Sequence, residues 1–277
     1  MAVDIETLVA WRQTLSQDPD NQEVRTQLQQ LLTESLMQVG EPARIIGICL
    51  LILCEIETGH RVQSGVFKGL QLHQSAFYWK LPMLLGTYEM ELVPWIHEAM
   101  RTDYTAVINI GCGEGYYIAG MARQMSATTR FYAFDTSQEA QALCRETARI
   151  NNVSERITTG GYCSPQMLQE LVQNQRALVL IDCEGCEYDM LDPSLVPGLV
   201  NSDLIIECHD HQQPHQHITA TLTNRFAATH RVESVRAGAR DPNTMPLMDS
   251  MHDVLRWLSV CEFRGSVQNW LRLRTQQ

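Results

Sequence analysis

The sequence predicts an α/β protein, a doubly wound and mostly parallel sheet preceded by a helical cap. Three observations predict it. From about residue 103, short apolar runs alternate with helical stretches, the pattern of parallel strands covered by helices on both faces. The run VINIGCGEGYY, Val107 to Tyr117, passes from apolar residues into Gly111, Gly113 and Gly115, which reads as a buried strand, a tight turn and a helix start. A second apolar run, FYAFD, ends on Asp135, 20 residues beyond Gly115, where a carboxylate is placed to hold two ribose hydroxyls.

The elements follow in order. Residues 4 to 58 read as helices: TLVAWRQTL and VRTQLQQLLTESLMQV carry apolar residues at helical spacing, Asp18-Pro19-Asp20 separates them, and Gly40-Glu41-Pro42 starts a third. A glycine-punctuated, aromatic segment leads into a helix over 86–100. This gives a helical N-terminal region and cap over 1–100 and a cofactor-binding domain over 101–277. In the latter the pattern predicts strands at 106–110, 130–134, 156–160, 177–182 and 203–208, with helices at 115–125, 137–150 and 165–174 between them. A helix at 215–228, a strand at 230–236, a helix at 247–258 and a strand at 267–274 complete it, the last two strands forming an antiparallel edge pair. In such sheets a ligand sits over the carboxyl ends of the strands, where their order reverses.

Composition excludes several classes. With 277 residues and 44% hydrophobic content the chain can fill a sizeable core. Its longest apolar stretch, Ile45 to Leu53, is shorter than the ~20 residues of a membrane span, and the N-terminus lacks the basic-then-apolar pattern of a secretory signal. A cytoplasmic protein without membrane contact is expected. The net charge of −11 and scattered arginines disfavour nucleic acid as a partner. Nine cysteines, an odd number in a chain with no signal for export, read as free buried thiols. The amphipathic N-terminal helices fit either a homodimer surface or an intramolecular cap.

The glycine turn narrows the cofactor. A dinucleotide fingerprint needs G-x-G-x-x-G, whereas here Tyr116 stands at the sixth position. Glu114 within the turn has the wrong sign for a pyrophosphate but suits the ammonium of an amino-acid end. That combination points to S-adenosylmethionine. The alternative is an α/β turn with no cofactor. A second buried run, ALVLIDCEGCEYDML, delivers Asp182 to the carboxyl end of its strand, facing the transferred methyl group.

Here the chain resembles the FkbM-type methyltransferases, whose strand carries I-D-x-E-G-x-E; Ile181, Asp182, Glu184, Gly185 and Glu187 stand in those places. With LIIECHD, Leu204 to Asp210, the resemblance spans roughly residues 80 to 210. It implies a class I methyltransferase with a Rossmann-like core that uses S-adenosylmethionine on a hydroxyl of a small-molecule acceptor. By position it places Gly111, Gly113 and Gly115 along the methionine part, Asp135 on the ribose and Gly161, Tyr162 and Cys163 at the adenine edge. Asn109, Thr136 and Asp182 complete the expected cofactor contacts, and Glu89, just before the core, is a candidate for the cofactor's ammonium. Cys183 and Cys186 replace small apolar residues. Their C-x-x-C spacing also occurs in redox pairs and half zinc sites, so their thiols are open to packing or function.

Methyl transfer from a sulfonium requires in-line alignment and removal of the acceptor's proton. The catalytic candidates are Asp182, Glu207 and His209, since period-two alternation puts Glu207 and His209 on one face and Cys208 on the other. Were the strands neighbours, these three side chains suit a divalent metal, Mg²⁺ or Mn²⁺, that lowers an acceptor hydroxyl's pKa. A metal-free version keeps His209 as general base. In a purely structural version Glu207 and His209 bond each other or solvate the cleft, and Asp182 caps the next helix. His211, His215 and His217 read as a solvated loop rather than a soft-metal site. Tyr78, Trp79, Tyr88 and Trp95 either close the acceptor pocket by cation–π contact or pack the cap. Other outcomes left by the sequence are methylation of a protein side chain or a nitrogen, and a noncatalytic cofactor-binding scaffold.

Overall fold

The computed structural model describes residues 5–73, 80–212 and 217–276. Two helices open it, α1 (Ile5–Gln17) and α2 (Gln22–Thr58). Asn21 begins α2 by accepting a hydrogen bond from the Val24 N–H at 3.1 Å, and Gly59, at φ +60°, ends it in the left-handed conformation a helix C-terminus favours. The third helix expected at Gly40-Glu41-Pro42 is not a separate element, for α2 runs through it. Its later turns are anchored by tertiary burial of Leu50, Leu51 and Cys54, which outweighs the local breaking preference of glycine and proline.

The helix expected over 86–100 is shorter. After α3 (Lys80–Leu85), Gly86 takes φ +81° and Glu89 φ +47°, so helical geometry resumes only as a 3-10 turn at Met90–Leu92 that leads into α4 (Val93–Met100). Then the alternation sets in: β1 (Ala106–Ile110), α5 (Tyr116–Gln124), β2 (Arg130–Phe134), α6 (Gln138–Ile150), β3 (Ile157–Gly160), α7 (Pro165–Val172), β4 (Ala177–Ile181), α8 (Glu187–Met190) and β5 (Asp203–Cys208). Ser137 and Ser164 cap α6 and α7 through their hydroxyls, and Pro165 sits at the first position of α7. The chain finishes with α9 (Ile218–Phe226), β6 (His230–Arg236), α10 (Asp253–Ser259) and β7 (Asn269–Thr275). The helix expected over 247–258 begins only at Asp253, because a proline-led 3-10 turn, Pro246–Met248, occupies its start.

The seven strands form one sheet in the order β3-β2-β1-β4-β5-β7-β6. β7 runs antiparallel to both β5 and β6, and the other neighbouring pairs are parallel. This is a doubly wound, mostly parallel sheet with an antiparallel pair at one edge, as the sequence predicts. The order reverses between β1 and β4, whose residues pair in register from Ala106↔Ala177 to Ile110↔Ile181. On one face α5 and α6 lie against the strands, and residues of α2, α3 and α4 join the same core with Phe67, Tyr104, Ile118 and Trp270. The other packs on α7 and α9, around Leu168, Leu222 and Phe226. Among the described residues no helix is long and apolar enough to cross a membrane.

The cysteines depart from the expectation of free thiols at one place. Cys183 and Cys186 are disulfide-bonded with Cα atoms 5.5 Å apart, because Glu184 at φ +56° and Gly185 at φ +107° curl the chain back on itself after β4. Five of the seven free cysteines are buried; Cys49 is exposed and Cys261 half-buried.

Candidate functional site

The glycine turn is built by close approach. Gly111 takes φ +76°, and a Cβ there would lie 1.6 Å from the Asp182 carbonyl oxygen, so only glycine lets the ends of β1 and β4 meet. Gly113, at φ +51°, has no atom within 4 Å of its missing Cβ and keeps its backbone open to a ligand. Its N–H donates to Asp135 Oδ2 at 3.0 Å, while Oδ1 accepts from the Ser137 N–H at 2.9 Å. Asp135 therefore ties the turn to the end of β2. A carboxylate offers about four lone-pair sites, which leaves capacity for further donors. Gly115, at φ +86°, is the residue before α5 and packs on Cys144 rather than lining a cavity.

Two cavities meet at Gly111 and Asp182. The larger, about 230 Å³, lies over β1, β2 and β4. It collects Gly111, Asp135, Thr136, Gly161, Tyr162, Cys163 and Asp182 from the expected cofactor contacts, together with Cys183 and Cys186. The smaller, about 90 Å³, is lined by Asn109, Gly111, Gly113 and Asp182 and walled by Tyr88, Tyr116, Tyr117 and Trp270. Tyr88 thus faces the cleft, whereas Trp95 packs on the core; Tyr78 and Trp79 lie outside the described residues, as does His215.

Beside these cavities Asp182, Glu207 and His209 converge from the adjacent ends of β4 and β5, with potential ligand atoms all within 4.8 Å of one another. Cys208 points to the opposite face, into the core with Ile206. His209 does not bond Glu207. Its Nδ1 lies 2.6 Å from Glu187 Oε1, and its Nε2 is 3.6 Å from Asp182 Oδ1 and 3.4 Å from Glu184 Oε2. Asp182 does not cap the next helix, since Cys186 precedes α8. Glu187 is fully buried and its carboxylate holds the Nδ1 side, so Nε2 is directed at the cleft. Burial works against the imidazolium, but the Glu187 hydrogen bond and charge, with Glu207 and Glu184, prevail and raise the His209 pKa. Desolvation in the cleft and the negative charge of Glu207 push the Asp182 carboxyl well above the usual carboxylate range. Its Oδ1 has no hydrogen-bond partner.

One cation that the sequence does not reveal counters this charge. Arg264, from the loop before β7, donates from Nη1 to Glu207 Oε1 at 2.6 Å, from Nε to Glu262 Oε2 at 2.7 Å, and from Nη2 to Glu89 Oε1. Glu262 in turn pairs with Arg240, which also holds Glu91. Glu89 is thereby occupied: its Oε2 accepts from the Tyr117 hydroxyl at 2.5 Å. Burial, partly offset by Arg264, raises its pKa to about 7.

Glu114 is also engaged elsewhere. Rather than facing the cofactor's ammonium, it turns toward the N-terminal segment, where His73 Nε2 lies at 2.7 Å and Lys80 Nζ at 3.3 Å. Lys80 is fully buried. Although burial favours the neutral acid, His73 and Lys80 outweigh it and lower the Glu114 pKa.

His211 is exposed beside His209, their ring centroids 5.9 Å apart. Among the described residues the one group of three metal-capable side chains within reach of one another is Asp182, Glu207 and His209.

In comparison with known proteins, the chain matches no family model and no curated protein. Solved structures do resemble it. An O-methyltransferase from Bacillus cereus in complex with SAH is 13% identical, over 65% of this chain and 78% of that one, with a TM-score of 0.44. An O-methyltransferase of tomaymycin synthesis from Streptomyces achromogenes, in complex with SAM, is 14% identical over 74% and 83%, with a TM-score of 0.44. A precorrin-6y C5,15-methyltransferase from Geobacter metallireducens is 10% identical over 68% and 90%, with a TM-score of 0.45. At that level the likenesses say nothing of the chemistry of this cleft.

Proposed function

We propose that the chain is a class I S-adenosylmethionine-dependent methyltransferase of the FkbM-like kind, acting on a hydroxyl of a small-molecule acceptor. The observation that carries this reading is the pair of cavities joined at Gly111 and Asp182. One is rimmed by the Asp135 carboxylate, as a nucleoside requires, and the other is walled by three tyrosines, as a sulfonium favours. Bound there, the cofactor supplies a methyl group on a sulfonium. Asp135 holds the ribose hydroxyls, Gly113 leaves room for the chain, and Tyr88, Tyr116 and Tyr117 screen the charge from water. The FkbM-like assignment is supported by what its motif residues do: Asp182 lines both cavities, Gly185 makes the left-handed turn and Glu187 orients His209.

The donor set of Asp182, Glu207 and His209 fits Mg²⁺ or Mn²⁺, and the orphaned Oδ1 of Asp182 is a ready ligand. When bound, such an ion would lower the pKa of an acceptor hydroxyl. With or without it, Glu187 keeps the His209 Nδ1 proton, so Nε2 is the atom that meets an acceptor proton or an ion.

Titration calorimetry with S-adenosylmethionine tests the reading. Asp135→Ala removes charge-assisted hydrogen bonds worth about 1.5–3 kcal/mol, a loss of roughly 10–100-fold in affinity. Absence of binding to the unaltered protein, or an Asp135→Ala variant that binds equally well, overturns it.

A further inference from the structure

Cys183 and Cys186 bracket a loop with an unusual load. Between them Glu184 and Gly185 are both left-handed, at φ +56° and +107°. Glu184 Oε2 lies 3.4 Å from His209 Nε2 and accepts from Gln212 Nε2 at 2.5 Å. One residue past Cys186, Glu187 holds His209 Nδ1 at 2.6 Å. The disulfide therefore ties together the two carboxylates that grip the imidazole from opposite sides. Both cysteines line the larger cavity, and both are half-buried, so their sulfurs are reached through the space assigned above to the nucleoside. The thiols of Cys54, Cys144 and Cys208 are instead buried away from both cavities, and Cys163, though it lines the larger one, is itself buried.

We propose that Cys183–Cys186 is a reversible thiol–disulfide site whose state is coupled to occupancy of the nucleoside cavity. A dithiol reductant supplies the two electrons and two protons: one of its thiolates attacks one sulfur of the pair and expels the other as thiolate. Its second thiol then resolves the mixed disulfide, leaving two protein thiols and the reductant as a cyclic disulfide. Oxidised, the loop presents a preformed cavity wall. Reduced, Glu184 is free to leave a backbone region that side chains seldom adopt, and the wall loses its order. A ligand that prefers the ordered wall favours the oxidised pair, and linkage makes the two effects equal, typically between 5- and 150-fold; about tenfold is expected here. The coupling rests on the nucleoside reading of the cavity; the redox activity of the pair does not.

The test titrates the full-length protein with mixtures of reduced and oxidised dithiothreitol, with and without saturating S-adenosylhomocysteine. Thiols are counted by alkylation and mass spectrometry, and backbone hydrogen exchange is followed over residues 182–191. The expected result is that both thiols appear and disappear together, that exchange in this segment speeds up on reduction without ligand, and that the ligand raises the reductant ratio at midpoint about tenfold. A pair that never oxidises, or reduction that leaves exchange unchanged, overturns the site. A midpoint unmoved by a ligand that calorimetry shows to bind overturns the coupling. If the ligand does not bind the oxidised protein, the methyltransferase reading fails instead, and the ligand-free exchange data still decide for or against the redox pair. Cys183→Ser/Cys186→Ser should bind the ligand about tenfold more weakly and be insensitive to reductant; unaltered affinity counts against the coupling.

Discussion

Replacing Gly111 by alanine would set a methyl carbon 1.6 Å from the Asp182 carbonyl oxygen and 2.6 Å from its carbon. Ordinary carbon–oxygen contact is about 3.3 Å, so the ends of β1 and β4 must part by roughly 1.7 Å. That separation breaks the buried bond from the Asp182 N–H to the Ile110 carbonyl, 2.9 Å long, at a cost of about 1–3 kcal/mol. Holding alanine at φ +76° adds about 1–2 kcal/mol, and residual overpacking about 1–3 kcal/mol. The sum, of order 3–8 kcal/mol, is a large part of the 5–15 kcal/mol that keeps a domain folded. Gly113→Ala is the control, because it meets no neighbour within 4 Å and bears only the conformational penalty at φ +51°. At roughly 2–4 °C per kcal/mol for chains of this size, Gly111→Ala should melt at least about 5 °C below Gly113→Ala in a thermal scan followed by circular dichroism. Equal melting temperatures would show that β1 and β4 are not clamped at this point.

Three further outcomes follow from the same structure. The His209 pKa is raised above its ordinary 6.5, so its contribution to stability is full below that pH and is lost as pH rises through the raised value. Glu187→Gln removes the principal partner; urea unfolding between pH 6 and 9 should show the gap between wild type and variant narrowing as pH rises, and a constant gap would refute the pairing. Lys80→Met leaves the buried Glu114 carboxylate without its ammonium and should cost about 3–5 kcal/mol, whereas adding Glu114→Gln should restore part of that loss in a double-mutant cycle; additive losses would deny the contact. Tyr104→Phe deletes the hydroxyl that donates to Asp203 Oδ2 at 2.5 Å, a bond to a charged group worth about 1.5–3 kcal/mol, and an unchanged denaturant midpoint would contradict it.

What the sequence shows and what it conceals divide by distance along the chain. The glycine turn and Asp135 are legible because strand, turn and helix are local patterns, and the parallel strands recur at nearly their expected bounds. Asp182, Glu207 and His209 are legible because alternation along two strands fixes the faces of their side chains once β4 and β5 are neighbours. Arg264 is not, since nothing local marks a loop arginine that reaches Glu207 only after β7 has paired with β5. Glu114 misleads for the same reason: its partners, His73 and Lys80, belong to a segment whose docking no spacing encodes. Glu187 stands in the quoted motif, yet its grip on His209 depends on the curl that Gly185 permits. The continuity of α2 through Pro42 is settled by burial of its later turns, which overrides the local preference.

The seating of β7 between β5 and β6 bears on how the molecule is made. β6 emerges from a ribosome before the strand that joins it to the sheet, and until residues 269–275 arrive it has no partner, while β5 presents an open flank of Leu204, Ile205 and Ile206. Completion of this half of the sheet therefore waits until residues 269–275 have been made. A nascent chain stalled before Asn269 would be a client for chaperones, with Glu207 still lacking the backbone that shelters it.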